Sequence, residues 1–201
     1  MIGNDVVDLG DGDSRVAEHH PRFDGRVFTA AERDLIAASA AGERVRWLLW
    51  AAKESAYKAA RRGDGRTVFS PARFVVHGMP DGPVTVDADG RTFAVELGGD
   101  DDHVHAIARV YGDTEAVVHA AVASLLPGVT AGAASAGVRR FALSTLARRL
   151  RIPARDLRLD HDRRMPRLWV RGRPSVAVLS LSHHGRFAAF ACRWPDRRWW
   201  P

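Results

Sequence analysis

Residues 42–63 read Gly-Glu-Arg-Val-Arg-Trp-Leu-Leu-Trp-Ala-Ala-Lys-Glu-Ser-Ala-Tyr-Lys-Ala-Ala-Arg-Arg-Gly, and the rest of the chain is parsed around this stretch. Val45, Leu48, Leu49, Ala52, Ala56 and Ala59 recur at three- and four-residue spacing, which is the apolar stripe of a helix running to about Arg62, with Gly63 as its stop. Off that stripe, Glu54 and Lys58 are i, i+4 neighbours. Lys53 stands about 100° from Glu54 around the axis, on the same flank and opposite much of the apolar stripe.

Upstream, Thr29-Ala30-Ala31-Glu32 has the spacing of a capping box and opens a helix over Ala30–Ser39. Before it, Met1–Leu9 reads as a short β-branched strand entering a polar loop, Gly10–Arg26. Downstream, strand-like runs at Phe74–His77, Val84–Asp87, Arg91–Leu97 and His103–Tyr111 are punctuated by Gly, Pro and Asp and form a small antiparallel sheet. Asp113–Leu126 reads as helical, and Pro127–Gly137, built of small residues, as a linker. Val138–Leu150 is then an amphipathic helix, with short strands at Ala154–Leu159 and Leu168–Val170. Val176–Ser182 and Phe187–Trp194 flank a hairpin at His183-His184-Gly185. The pattern is α+β: a pseudo-twofold pair of similar halves, each with helices packed on a small antiparallel sheet, although no sequence repeat is legible. The expected division is 1–112, a connecting helix and linker over 113–137, and 138–201.

At 201 residues, 46% hydrophobic and 27% charged, the chain can bury a core, which excludes a disordered or fibrous class. The single Cys192 excludes an internal disulfide. No apolar run approaches the roughly 20 residues of a membrane helix, and the acidic opening Asn4-Asp5-Val6-Val7-Asp8 is unlike a signal peptide, so a cytoplasmic protein with no membrane partner is expected. The net charge of +6 divides unevenly: −4 over residues 1–112 and +10 over 113–201. Such asymmetry suits an anionic ligand or partner for the second half, or a solvated face. Of the basic residues 28 are Arg and two are Lys, and both lysines, Lys53 and Lys58, lie on the strong helix.

Glu54 is thus bracketed by two compact point charges in a chain that otherwise uses arginine. Either this is a surface ion pair, or it is a site for phosphate oxygens around a metal. Asp5 sits in an apolar strand where a buried carboxylate needs a cation partner, an arginine or a metal ion. Mg2+ takes one or two carboxylates plus phosphates and water, so Asp5 and Glu54 are the candidate ligands. Ser182-His183-His184-Gly185-Arg186 gathers hydroxyl, imidazole and guanidinium donors for a phosphate. Adjacent histidines on a strand point to opposite faces, so a zinc site is not expected there. His103 and His105 share a face and read as a solvated pair, as do His19 and His20.

Together these elements resemble the 4′-phosphopantetheinyl transferase superfamily. Gly3-Asn4-Asp5 resembles its Gly-x-Asp motif, Trp50-x-x-Lys53-Glu54-Ser55-x-x-Lys58 its Trp-x-x-Lys-Glu-(Ser/Ala)-x-x-Lys motif, and Ser182-His183 its Ser-His motif. Val138–Arg193 is similar to the first half of the two-halved surfactin-type enzymes, here placed second, so the order of halves looks permuted. The resemblance implies transfer of the phosphopantetheine arm of coenzyme A to a serine of an acyl or peptidyl carrier protein, releasing adenosine 3′,5′-bisphosphate. It implies Asp5 and Glu54 as Mg2+ ligands, Lys53 and Lys58 on the coenzyme phosphates, and Glu54 as base, with Glu54, Lys58 and Asp5 as the catalytic set. Ser182 and His183 then bind the pyrophosphate or 3′-phosphate, and one monomer holds the whole site. Two positions depart from the surfactin-type pattern. Val7 stands where a second carboxylate is found, so coordination resembles the single-Asp-plus-Glu arrangement of the smaller synthases. Arg164-Met165-Pro166 stands at the Gly-Lys-Pro turn, where Arg163 or Arg164 replaces the lysine. These departures motivate a second reading, a coenzyme A-binding paralogue without carrier modification. A third, a nucleic-acid module using Arg197-Arg198-Trp199-Trp200, leaves the acidic first half and the lysine placement unexplained.

Overall fold

The computed structural model describes residues 1–15, 20–80, 82–113, 117–126, 128, 130–162 and 165–195. The first half runs β1 (Ile2–Asp8), α1 (Phe23–Val27), α2 (Ala30–Ala38), α3 (Gly42–Gly63), β2 (Val75–His77), β3 (Thr85–Ala88), β4 (Arg91–Gly99) and β5 (His103–Val110). The second runs β6 (Val117–Ser124), α4 (Ala131–Leu150), β7 (Leu157–Asp162), β8 (Met165–Val170), β9 (Arg173–His184) and β10 (Phe187–Trp194). Each half is a five-stranded antiparallel sheet, ordered β1-β5-β4-β3-β2 and β6-β10-β9-β8-β7. In both, the first strand leaves the sheet for a helical excursion, and the last strand returns beside it. This repeated order is the α+β pair of similar halves that the pattern of elements predicts.

The signals that open the helices act as read. Thr29 and Glu32 form both bonds of the capping box at α2. The α3 stripe buries Leu49, Ala52, Ala56 and Ala59 against β1 and β5. Small residues on that stripe bring β1 close: a Cβ at Gly3 would overlap the Ser55 carbonyl and the Ala59 amide. The glycine of the Gly-x-Asp motif is therefore a packing requirement. The second core forms where α4 places Ala142, Leu146 and Leu150 over Leu179, Phe190 and Trp194.

Two expectations are corrected. Val117–Ser124 is a strand, not part of a helix over Asp113–Leu126: it pairs with β10 from Val117↔Trp194 to Ser124↔Phe187. Its alanines favour a helix in isolation, but tertiary pairing overrides that preference. Nor is 127–137 a linker throughout, because Thr130 accepts a hydrogen bond from the Ala133 amide and starts α4 at Ala131. The polar loop after β1 also contains, among the described residues, a 3-10 turn at Gly12–Ser14 and the short helix α1. Among the described residues no helix is long and apolar enough to cross a membrane.

Candidate active site

β1 is buried along its whole length, and each of its surfaces meets a different element. Gly3, Asp5 and Val7 face α3. Asn4, Val6 and Asp8 face the second half, where Val6 packs on Phe187 and Ala189. Its free edge lies along β9. Here the amides of Asn4, Val6 and Asp8 donate to Ser180 Oγ (3.0 Å), Ser182 Oγ (3.1 Å) and His184 Nδ1 (3.1 Å). Alternate residues of one strand thus meet alternate side chains of the other, and an edge that would otherwise expose unpaired amides is closed. Beyond the strand end, Arg186 grips Asp8 with Nε (2.9 Å), Nη2 (2.8 Å) and its own amide (2.8 Å). Burial pushes the Asp8 carboxyl up, but these donors outweigh it and hold the group at about 2.

Asp5 and Glu54 meet at one ammonium. Lys58 Nζ lies 2.7 Å from Asp5 Oδ1 and 3.8 Å from Glu54 Oε2, and also donates to the Asn4 carbonyl at 3.2 Å. Burial pushes the Glu54 carboxyl up, Lys58 opposes this, and Asp5 adds to it. For Lys58, burial works against the charged form but both carboxylates outweigh it, so its pKa is raised. A half-buried carboxyl whose affinity for protons is raised can take up a proton, and a cation beside it can neutralise an anion.

Lys53 is placed elsewhere. It is fully buried, and its Nζ is held by Glu32 Oε2 (2.8 Å) and by the carbonyls of Phe74 (2.6 Å) and Pro71 (3.1 Å). All three ammonium protons have partners, so Lys53 is a core strut between α2, α3 and the approach to β2, not a phosphate contact. Glu54 is accordingly flanked by one lysine, not two. The sequence signal for this was Glu32, whose carboxylate also accepts from the amides of Thr29 and Val76. A capping residue that is itself buried needs a buried cation.

Ser182 and His183 both reach the site, with different consequences. The Ser182 hydroxyl accepts from Val6 and donates its one proton to Asp5 Oδ1 at 2.9 Å, so it has none left for a phosphate. His183 projects to the face opposite His184. Burial, with Lys58 and His184 beside it, lowers its pKa. Arg163 and Arg164, His19 and the Arg197–Trp200 tail lie outside the described residues. His103 and His105 are not a solvated pair. They share a face of β5 that packs on the second half, His103 stacking on Phe187 at 4.6 Å and His105 lying 3.4 Å from Asn4 Nδ2.

Two clefts open from this junction. One, of about 500 Å³, is lined by Asp5, Glu54, Ser182, Trp47, Trp50 and Phe23. The other, of about 340 Å³, is lined by Tyr57, Arg61, Arg62, Arg139, His161 and Met165. Lys58, Leu181 and His183 belong to both. Arg61, Arg62 and Arg139 escape a sequence reading because arginine is the ordinary cation of this chain; burial lowers Arg62 to about 10.

A separate group, Asp11, Asp13 and His184, brings ligand atoms within 4.8 Å of one another. Because His184 Nδ1 accepts the Asp8 amide, its ring proton sits on Nε2, and no imidazole lone pair remains for a cation. Asp5 and Glu54 offer only oxygens, on the wall of a cleft beside the Lys58 ammonium. That donor set fits a hard divalent cation.

No curated protein matches the chain. Among solved structures it is similar to an apo-ACPS structure from Chronobacterium ammoiniagenes, at 19% identity and a TM-score of 0.46, over 54% of this chain and 93% of that one. The profile of the family described as "ACPS: 4'-phosphopantetheinyl transferase superfamily" matches residues 1–108, which carry Gly3, Asp5, Glu54 and Lys58. With more than half of its length matched, the chain belongs to the 4′-phosphopantetheinyl transferase superfamily.

Proposed function

We propose that this protein transfers the 4′-phosphopantetheine arm of coenzyme A to a serine of an acyl or peptidyl carrier protein in a Mg2+-dependent reaction, releasing adenosine 3′,5′-bisphosphate. The observation that carries this reading is the convergence of Asp5, Glu54 and Lys58 where two clefts meet, one aromatic and acidic, the other rich in arginine.

Asp5 and Glu54 would hold Mg2+, which when bound supplies positive charge against the coenzyme pyrophosphate. Lys58 lies between the carboxylates and both clefts, where it neutralises negative charge developing as the phosphoanhydride opens. Glu54, with its raised pKa, accepts the proton of the attacking serine hydroxyl. Arg61, Arg62 and Arg139 with His183 bind the nucleotide phosphates in the smaller cleft, while Phe23, Trp47 and Trp50 offer an apolar wall to the arm. The two halves divide the work, the first supplying the carboxylates with Lys58, Arg61 and Arg62 and the second adding Arg139, Ser182 and His183, within one monomer of the cytoplasm.

Apo carrier protein incubated with coenzyme A and Mg2+ gains the mass of the arm; no gain across several carriers overturns the reading. Coenzyme A binding without carrier modification instead marks a paralogue that keeps the fold, an outcome to which Met165 in place of the turn lysine gives weight. Glu54→Gln and Asp5→Asn abolish transfer without unfolding the chain.

A further inference from the structure

We propose that Ser182 is the positioning residue of Asp5, so that a side chain of the second half decides which oxygen of the first half's carboxylate is offered to the cation; this rests on the reading of Asp5 as a metal ligand.

The argument is a count of protons and lone pairs. Asp5 Oδ1 receives Lys58 Nζ at 2.7 Å and Ser182 Oγ at 2.9 Å, which uses both of its lone pairs. Oδ2 is the oxygen left to coordinate. Rotating the carboxylate about Cβ–Cγ would break both bonds. Of the two donors, Lys58 sits on a long flexible stem and is shared with Glu54. The Ser182 hydroxyl is short, 6% exposed and held in place by the Val6 amide. It is the rigid member, and a rigid partner is what restrains a ligand's orientation.

The hydroxyl is itself registered by its neighbours. The pairs Asn4–Ser180, Val6–Ser182 and Asp8–His184 advance two residues on each strand, and the Arg186–Asp8 clamp closes the series. A slip of one residue between β1 and β9 would turn Ser182 away from Asp5. The seam that joins the halves therefore also aims the ligand. Ser180 supplies the internal comparison, since its hydroxyl makes the same amide contact one step along, to Asn4.

The test measures Mn2+ affinity by the loss of its free-ion EPR signal, with the full chain and no substrate. Ser182→Ala weakens Mn2+ binding about tenfold or more, in the range found for residues behind metal ligands. In turnover it lowers kcat while leaving KM for coenzyme A within about twofold. Ser180→Ala keeps the wild-type Mn2+ affinity although it removes an equivalent seam contact. Should Ser182→Ala fail to fold, Ser182→Cys, which keeps the shape but donates weakly, shows the same loss. Wild-type Mn2+ affinity in the Ser182 variant, or an equal loss in Ser180→Ala, overturns the positioning role while the metal reading stands. A wild-type chain that binds no Mn2+ overturns the metal reading and this inference with it.

Discussion

Replacing Lys53 with Met separates the two roles this residue can have. The sequence motif implies a phosphate contact, whereas the fold buries the ammonium completely against Glu32, Phe74 and Pro71. Lys53→Met keeps most of the volume and leaves the Glu32 carboxylate buried with two amide donors and no cation. Removing one partner of a buried ion pair costs about 3–5 kcal/mol. Unfolding entropy near 60 °C is about 2.1 cal/mol/K per residue, or about 0.4 kcal/mol/K for a chain of 201 residues, so the melting temperature falls by about 7–12 °C. Thermal unfolding followed by circular dichroism measures this directly. Adding Glu32→Gln to Lys53→Met removes the stranded charge but sets the Gln amide nitrogen against the Thr29 or Val76 amide, so the double variant recovers only part of the loss. Well below its melting temperature the single variant keeps its KM for coenzyme A within about twofold. A variant that melts within about 2 °C of the wild type, yet shows a tenfold higher KM, refutes the assignment of Lys53 to the core.

Two further outcomes follow from the packing of β1. Gly3→Ala forces a methyl group into the Ser55 carbonyl and Ala59 amide of α3, both backbone, so stability drops by about 3 kcal/mol or more in urea denaturation; a loss under about 1 kcal/mol would show that β1 can move off the helix. His105 is held at about 4, below its ordinary 6.5, because burial disfavours the imidazolium more than Asp5 favours it. Its folded value lies below its unfolded value, so the unfolded chain binds the extra proton between them. The contribution is complete above pH 6.5 and is lost as the pH falls toward about 4, to a total of about 3 kcal/mol. Urea midpoints in chelator at pH 7 and pH 4.5 should differ less for His105→Gln than for wild type; an unchanged difference assigns the acid sensitivity to other groups.

Legibility varied by residue, for physical reasons. The capping box at Thr29 and Glu32 and the α3 stripe were readable because their causes are local: a hydroxyl, a carboxylate and a 3.6-residue period. Asp5 was readable as a carboxylate out of place in an apolar strand, and Lys58 as the i+4 partner of Glu54. Lys53 was misread because helical position gives direction around an axis but not what lies in that direction; Glu32, on another helix, drew it inward. Val117–Ser124 was misread because its alanines carry a helical preference that only pairing with β10 overrules. For Ser182 the motif implies a phosphate contact and cannot show that its single proton is already committed to Asp5.

By itself, then, the sequence determined the elements that depend on neighbours within a few residues, the α+β pair of halves, and the motif that carries family membership. Only the tertiary structure decided which of the two α3 lysines lies beside Asp5 and Glu54, where the Ser182 proton goes, and where the arginines gather. Those outcomes depend on contacts between residues as far apart as Asp5 and Ser182. Propensity and spacing act along the chain, whereas proton donors, lone pairs and buried charges are matched across it.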